Sequence, residues 1–416
     1  MLRMAVPVAA LLIGVALLLT GTGLLNTILP LRGQLEGYST RFLGLVMSGY
    51  FMGFLVGTFL GPKLIRRIGQ IRAFACCAAV VTCCSILHAL WVDPWIWLLL
   101  RILTGTALVT LYTAIESWLN GQATQANRGQ MLALYMIVNL MALACAQQFI
   151  QLASPMMFTL FALAAMFICS ALIPVTLTRM EPPPIPSAPQ LSFASIVKVA
   201  PTAVVGAVLS GLTMGAFWTL SPVFANRLFN DLGAVAGFMS SAIVGGALMQ
   251  IPLGRYSDRH DRRLVLAVTA GFAALSAMLV YACVNWLGAV RELFYVTGFL
   301  YGGFAFAIYP IAVAHLIDHL EKDQVLDGSS GFLLLHGIGA VVGPIVGGLM
   351  MDEMGAGILP LYFVFMQLSL CVLVALSLRK VPVSKEETVQ TAHYVPMVRT
   401  TPTVLELHPD QPPSGS

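Results

Sequence analysis

The sequence predicts an all-α integral membrane protein with twelve transmembrane helices arranged as two six-helix pseudo-repeats. Three observations carry this expectation. Of the 416 residues, 58% are hydrophobic and only 10% are charged, against roughly 25% charged in a soluble globular chain. The apolar residues gather in runs that are apolar all round and about 20 residues long, which a bilayer core of roughly 30 Å requires. Glycine, threonine and proline positions of the first half recur in the second at a nearly constant shift.

The runs follow in order. The first, 6–31, is longer than the core of a cleavable secretory signal and has further spans behind it, so it reads as a retained helix. The second, 42–62, ends in Gly61 and a basic loop with Lys63, Arg66 and Arg67; the third, 73–93, contains four of the eight cysteines. The fourth, 95–119, carries Arg101 and Glu116, with Asn120 just beyond it. The fifth, 130–153, carries Asn139, Gln147, Gln148 and Gln151, and the sixth is 155–178. A break with five prolines between Pro182 and Pro189 then reads as a semi-rigid spacer. Six more runs follow at 199–226, 234–254, 264–286, 291–317, 328–351 and 358–378. The expected division is an N-terminal bundle over 1–179, a proline-rich cytoplasmic linker over 180–198 and a C-terminal bundle over 199–380. The polar, proline-bearing tail over 381–416 is expected to be disordered and exposed to solvent. Barrel strands are excluded, because they would be short alternating segments.

The repeat is visible residue by residue. Gly23, Thr27 and Pro30 recur as Gly215, Thr219 and Pro222. Gly44, Ser48, Gly53, Gly61 and Arg66 recur as Gly237, Ser241, Gly246, Gly254 and Arg259, and Gly105 and Tyr112 as Gly302 and Tyr309. Parallel six-helix repeats are a transporter architecture.

Basic residues orient the chain. Seventeen of the 22 fall at the two ends and in the even-numbered loops, chiefly around Lys63–Arg72 and Arg255–Arg263; the odd-numbered loops hold only Arg32, Arg41, Arg227 and Arg291. The positive-inside rule then places both termini in the cytoplasm, in what reads as a bacterial inner membrane. The cysteines all lie in apolar runs, without the spacing of a metal site, and are expected to be small buried apolar residues. No hydrolase, zinc-protease or phosphate-loop motif occurs, so no enzyme is expected.

The loop after the eighth run reads Gly254-Arg-Tyr-Ser-Asp258-Arg259-His-Asp-Arg262-Arg263. With Asp261 replacing the second glycine, it is similar to the G-x-x-x-D-R-x-G-R-R signature of the major facilitator superfamily, which the chain resembles. The corresponding first-half loop, Gly61 to Gly69, keeps Arg66 and Arg67 but has Ile65 where the acid belongs. Arg101-Ile-Leu-Thr-Gly105 resembles the family's intramembrane R-x-x-x-G element. Gly339, Gly343, Pro344, Gly347 and Gly348 resemble a G-x-x-x-G-P-x-x-G-G motif that proton antiporters carry on the fifth helix, here on the eleventh. The Glu116-Ser-Trp-Leu-Asn120 segment and Tyr309-Pro310, His315 and Asp318 resemble the YcaD-like members, which implies no particular substrate. The resemblance implies the major facilitator fold, secondary transport by alternating access, and gate roles for the loops around Gly61 and Gly254.

Charged residues inside a membrane are costly and need an explanation. Arg101 reads as a cavity cation or as a snorkelling interfacial group. Glu116 and Asn120 share one helix face, as a proton site or as part of a gate pair. Arg101 and Glu116 lie roughly 22 Å apart along one helix axis, too far to pair. His315 and Asp318 form either a proton couple or an interfacial pair. Asn26, Trp218 and the polar residues of the fifth run line a cavity or join helices by hydrogen bonds. His336 reads as a packing residue. The expected protein is a monomeric secondary transporter of a small solute, driven by an ion gradient, most simply protons. It would have no cofactor, metal or nucleic-acid partner, and export is favoured over uptake. The alternative is a non-transporting sensor or assembly factor on the same fold, using the tail for docking.

Overall fold

The computed structural model describes residues 2–124, 127–177, 193–320, 324–380, 394 and 401. All regular structure among them is helical, and twelve helices are long and apolar enough to cross a membrane. They are α1 (Leu2–Leu35), α2 (Thr40–Ile68), α3 (Gln70–Leu90), α4 (Pro94–Gln122), α5 (Arg128–Gln148) and α6 (Phe158–Leu177). The second set is α7 (Pro201–Phe229), α8 (Leu232–Ser257), α9 (Arg262–Asn285), α10 (Arg291–Ile317), α11 (Val325–Met354) and α12 (Leu359–Lys380). The linker expected over 180–198 lies outside the described residues as far as 192, where a short helix, Phe193–Val199, begins. The tail lies outside them except for Tyr394 and Thr401.

Local chemistry sets several helix starts. Ser39 accepts the Phe42 N–H at the head of α2, and Asp231 accepts the N–H groups of Gly233 and Ala234 at the head of α8. Asp93 accepts the N–H groups of Trp95 and Ile96 at 2.9 and 3.0 Å, and Pro94 fills the first helical position of α4, where no N–H partner is needed. Replacing Asp93 with Ala is expected to lower stability by about 1 kcal/mol. Thermal unfolding of the purified protein tests this, and an unchanged midpoint would remove the cap from the account.

The chain divides into two units, one from residues 1–189 with 399–416 and one from residues 190–398. In the first, α1 packs on α5 and α6, α2 on α4, and α3 on α4 and α6. In the second, α7 packs on α11 and α12, α8 on α10, and α9 on α10 and α12. Every pair of the first unit thus has its counterpart in the second.

The closest pairs meet at glycines. A Cβ at Gly53 would overlap the Ile102 carbonyl, and one at Gly105 the Tyr50 carbonyl; between α8 and α10, Gly245 and Gly302 meet Phe299 and Ala242 in the same way. Between α7 and α11, Gly211 and Gly215 lie against the backbones of His336 and Ala340, while Gly339 and Gly343 lie against those of Val208 and Leu212. In lipid, hydrophobic burial does not favour helix against helix, so close backbone approach and hydrogen bonds must supply the association. Thr27 on α1 donates to Gln147 on α5 at 2.8 Å, and Ser210 on α7 meets His336 on α11 at 3.0 Å. Outward faces carry Leu99, Ile137, Met166 and Phe365, all exposed, as lipid contact demands.

The cysteines are all free. Four of them, Cys76, Cys83, Cys145 and Cys169, are exposed on helix surfaces. The expectation that all eight are buried is therefore corrected: an apolar run has a lipid face as well as a packed one.

Candidate functional site

In the first unit, three helices converge on Arg101. Its side chain is 2% exposed, its Nη1 donates to Asn26 Oδ1 of α1 at 2.8 Å, and its guanidinium lies 4.8 Å from the centre of the Tyr50 ring of α2. Arg101 is turned into the bundle rather than toward an interface. The amide dipole and the negative face of the ring offset part of the cost of burying the cation.

Glu116 lies six residues before the end of α4 at Gln122 and is fully buried. The Tyr135 hydroxyl of α5 donates to its Oε1 at 3.3 Å. The Thr401 N–H lies 3.1 Å from each carboxylate oxygen, and the Thr401 hydroxyl donates to Oε2. Asn120, one turn further along α4, is partly exposed. Arg66 and Arg67 project into solvent, and Ile65, standing where the signature has an acid, is buried. Gly61 meets Thr110 of α4.

In the second unit, Arg262, the first residue of α9, is the centre of a charged cluster where α8 meets α9. Its side chain is 4% exposed and pairs with Asp258 at 3.1 Å and with Asp318, just past α10; it also donates to Ser257 at 3.1 Å. This ties the ends of α8, α9 and α10 together. Asp318 is thus engaged by Arg262, while the His315 ring lies 4.6 Å from that of His319. Asp261, the departure from the loop signature, starts α9 by accepting the Arg263 N–H at 2.9 Å and pairing with its guanidinium. Burial pushes the Asp261 carboxyl upward, but the bonds and charge of Arg263 outweigh it and hold the group below the usual carboxylate range. Arg259 is exposed. Tyr394 donates its N–H to Asp258 at 2.8 Å and lays its ring on Gly254. Trp218 is partly exposed and packs against Phe217 and Phe306 with ring centres 5.4 and 5.5 Å away.

Arg262→Met is expected to destabilise the second unit by about 2 kcal/mol. Breaking a fully buried pair costs more, but Asp258 is 25% exposed and Asp318 14%, so water recovers part of the loss. A denaturation series in detergent checks it, with an unchanged midpoint as the contrary result.

The candidate residues do not form one cluster. Asn26 and Arg101 join directly, Glu116 stands apart near the other end of α4, and Asp258, Arg262 and Asp318 join in the second unit. Gly339 and Gly343 of α11 serve as helix-packing positions. Sequence reasoning missed Tyr50, Tyr135, Tyr394 and Thr401. The two tyrosines in helices were detectable only as hydroxyl-bearing rings in apolar runs, which need a polar partner when buried. Among the described residues, no group of three or more His, Cys, Asp or Glu side chains could hold a metal ion.

Twelve membrane-length helices in two matched sets of six, with charged and polar side chains buried inside them, define a polytopic membrane protein. The chain belongs to the Major Facilitator Superfamily, whose sequence profile matches residues 11–230 and 203–405. It is 28% identical over 353 residues to an uncharacterised transporter of this type from Yersinia pestis, covering 83% of this chain and 89% of that one. It is also 28% identical over 355 residues to the uncharacterised transporter YcaD of Escherichia coli, covering 85% and 91% of the two chains. The fold is that of the nucleoside transporter NupG, with TM-score 0.71, 13% identity, and 90% and 98% of the two chains covered. A D-xylose-proton symporter superposes with TM-score 0.66 at 12% identity, covering 90% and 97%. These proteins are transporters, not enzymes. The chain is accordingly an integral membrane transporter of a small molecule.

Proposed function

We propose that this protein couples movement of its solute to protons by alternating access, with Glu116 as the proton-exchanging group, and that it works in the direction of export. The observation that carries the reading is a carboxylate buried within a membrane-spanning helix, with the Tyr135 hydroxyl donating to one of its oxygens. A buried acid is expensive to keep, and within membranes such groups serve ion pathways. Proton symporters share the fold. The partly exposed Trp218 beside Phe306 favours an amphiphilic metabolite over a sugar as cargo. Arg101, held by Asn26, is the counter-charge for an anionic group on that cargo.

The bundles 1–179 and 199–380 are the moving bodies in this reading, joined by 180–198. The loops at Gly61 and Gly254, including Arg66, Arg67, Asp258, Arg259 and Arg262, belong to the cytoplasmic gate. The excess of basic residues at the two ends and in the even-numbered loops supports a cytoplasmic position for both termini. The protein acts as a monomer in the inner membrane.

Metabolite profiling of cells and medium tests the direction, comparing a deletion strain with one that overexpresses the protein. Export requires a solute retained by the deletion strain and expelled on overexpression. The reverse partition means uptake, and no shift under either condition removes the proposed export.

A further inference from the structure

We propose that the C-terminal segment is an intramolecular ligand of Glu116, docked through Thr401, and that it must leave before this carboxylate can exchange a proton. The proposal rests on the reading of Glu116 as the proton-exchanging group. The docking itself stands on contacts that the transport reading does not use.

Thr401 is 3% exposed although it lies 21 residues beyond the end of α12 at Lys380. A polar, proline-bearing extension has little reason to bury a threonine unless that residue is bound. Thr401 meets Glu116 with both donors it owns, the backbone N–H at 3.1 Å from each oxygen and the hydroxyl on Oε2. Hydrogen bonds to an ionised acceptor are about twice as strong as neutral ones. Together with the Tyr135 hydroxyl they supply donors that a buried carboxylate would otherwise take from water. The expected solvent-exposed tail therefore does not hold at this position.

Tyr394, the other described residue of the tail, has its own contact within the second unit. Tyr394 donates its N–H to Asp258, the acid of the loop signature, and its ring covers Gly254, where a Cβ would overlap it. Tyr394 and Thr401 thus each meet an acidic residue that the sequence singles out as a candidate, Asp258 and Glu116. Burial and the neighbouring Asp258 raise the Tyr394 phenol above its ordinary value. Glu116 presents two acceptor oxygens to an N–H and an O–H on adjacent atoms of one residue. The site is therefore suited to an amide or amine donor with a neighbouring hydroxyl, and the tail supplies one from within the chain.

The test is modification of Glu116 by dicyclohexylcarbodiimide in the full-length protein in liposomes, read by mass spectrometry of the peptide containing that residue. Four chains are compared: wild type, Thr401→Ser, Thr401→Pro, and a chain ending at Gln390. Serine keeps both donors, and proline removes both. Modification should be slow in wild type and Thr401→Ser, and about tenfold faster in Thr401→Pro and the shortened chain, as expected for losing charge-assisted hydrogen bonds. Equal rates in all four chains would overturn the docking. So would faster modification in Thr401→Ser alone. Neither result depends on solute movement, so the docking and the transport reading fail separately: normal pH-dependent transport by Glu116→Gln removes the proton site and leaves the docking intact.

Discussion

A Gly302→Val chain is expected to lose at least about 3 kcal/mol and to aggregate on extraction from the membrane. Overpacking in a well-packed interior ordinarily costs about 1–3 kcal/mol. Here the first added atom would overlap the Ala242 carbonyl of α8, a backbone group that cannot rotate away. To admit valine, α10 must move off α8, and the neighbouring close contact at Gly245 and Phe299 opens with it. Gly105→Val should behave alike, because a Cβ there would overlap the Tyr50 carbonyl of α2. Gly271→Ala is the control, since its Cβ would meet only the Cys371 sulfur at 3.6 Å. The measurement is the fraction of monodisperse protein and its unfolding midpoint in detergent. A stable Gly302→Val chain would mean that the two helices do not approach so closely.

Glu116→Gln is expected to reduce proton-driven solute movement by about tenfold or more while leaving the fold intact, because an intramembrane group that cannot titrate cannot carry the coupled proton. Glutamine has the same shape, and its amide oxygen still accepts from Tyr135, so packing around α4 and α5 is preserved. What changes is the charge, and with it the ability to bind and release a proton within the helix. The measurement compares solute shifts across a pH series for wild type and variant, with unfolding midpoints alongside. Loss of movement with an unchanged midpoint supports the assignment. Movement that keeps its pH dependence in the variant would reassign coupling to another acid, and Asp318 is the next to test because it already stands in the charged cluster with Arg262.

The helices were legible because a bilayer imposes a crude rule. A span must satisfy its own backbone hydrogen bonds and be apolar for about 20 residues, and both requirements are local in sequence. The repeat was legible for a related reason: Gly105 and Gly302 must each admit a neighbouring backbone, so they recur at equivalent positions in the two halves. Asp258 and Arg262 were visible through their loop spacing, but the role of Arg262 as the ion that joins three helix ends was not. Asp318 lies 56 residues away in the chain, and no spacing rule pairs such residues.

Burial separates the rest. Composition could not say whether Arg101 reaches for an interface or turns inward, since a long side chain can do either; the position of Asn26 and Tyr50 on two other helices decides it. Nor could it say which cysteines face lipid, because a membrane helix is apolar on both faces. The tail shows the limit most plainly. Its polarity and prolines mark it as a solvated extension, and the sequence holds no sign that Thr401 meets a carboxylate 285 residues earlier. The amino-acid sequence by itself determined the number of spans, their internal repetition and the family, because these follow from chain-local hydropathy and recurring small residues. Only the tertiary structure decided which polar groups meet, because a buried charge takes whichever donor the packing of distant helices brings within hydrogen-bond distance.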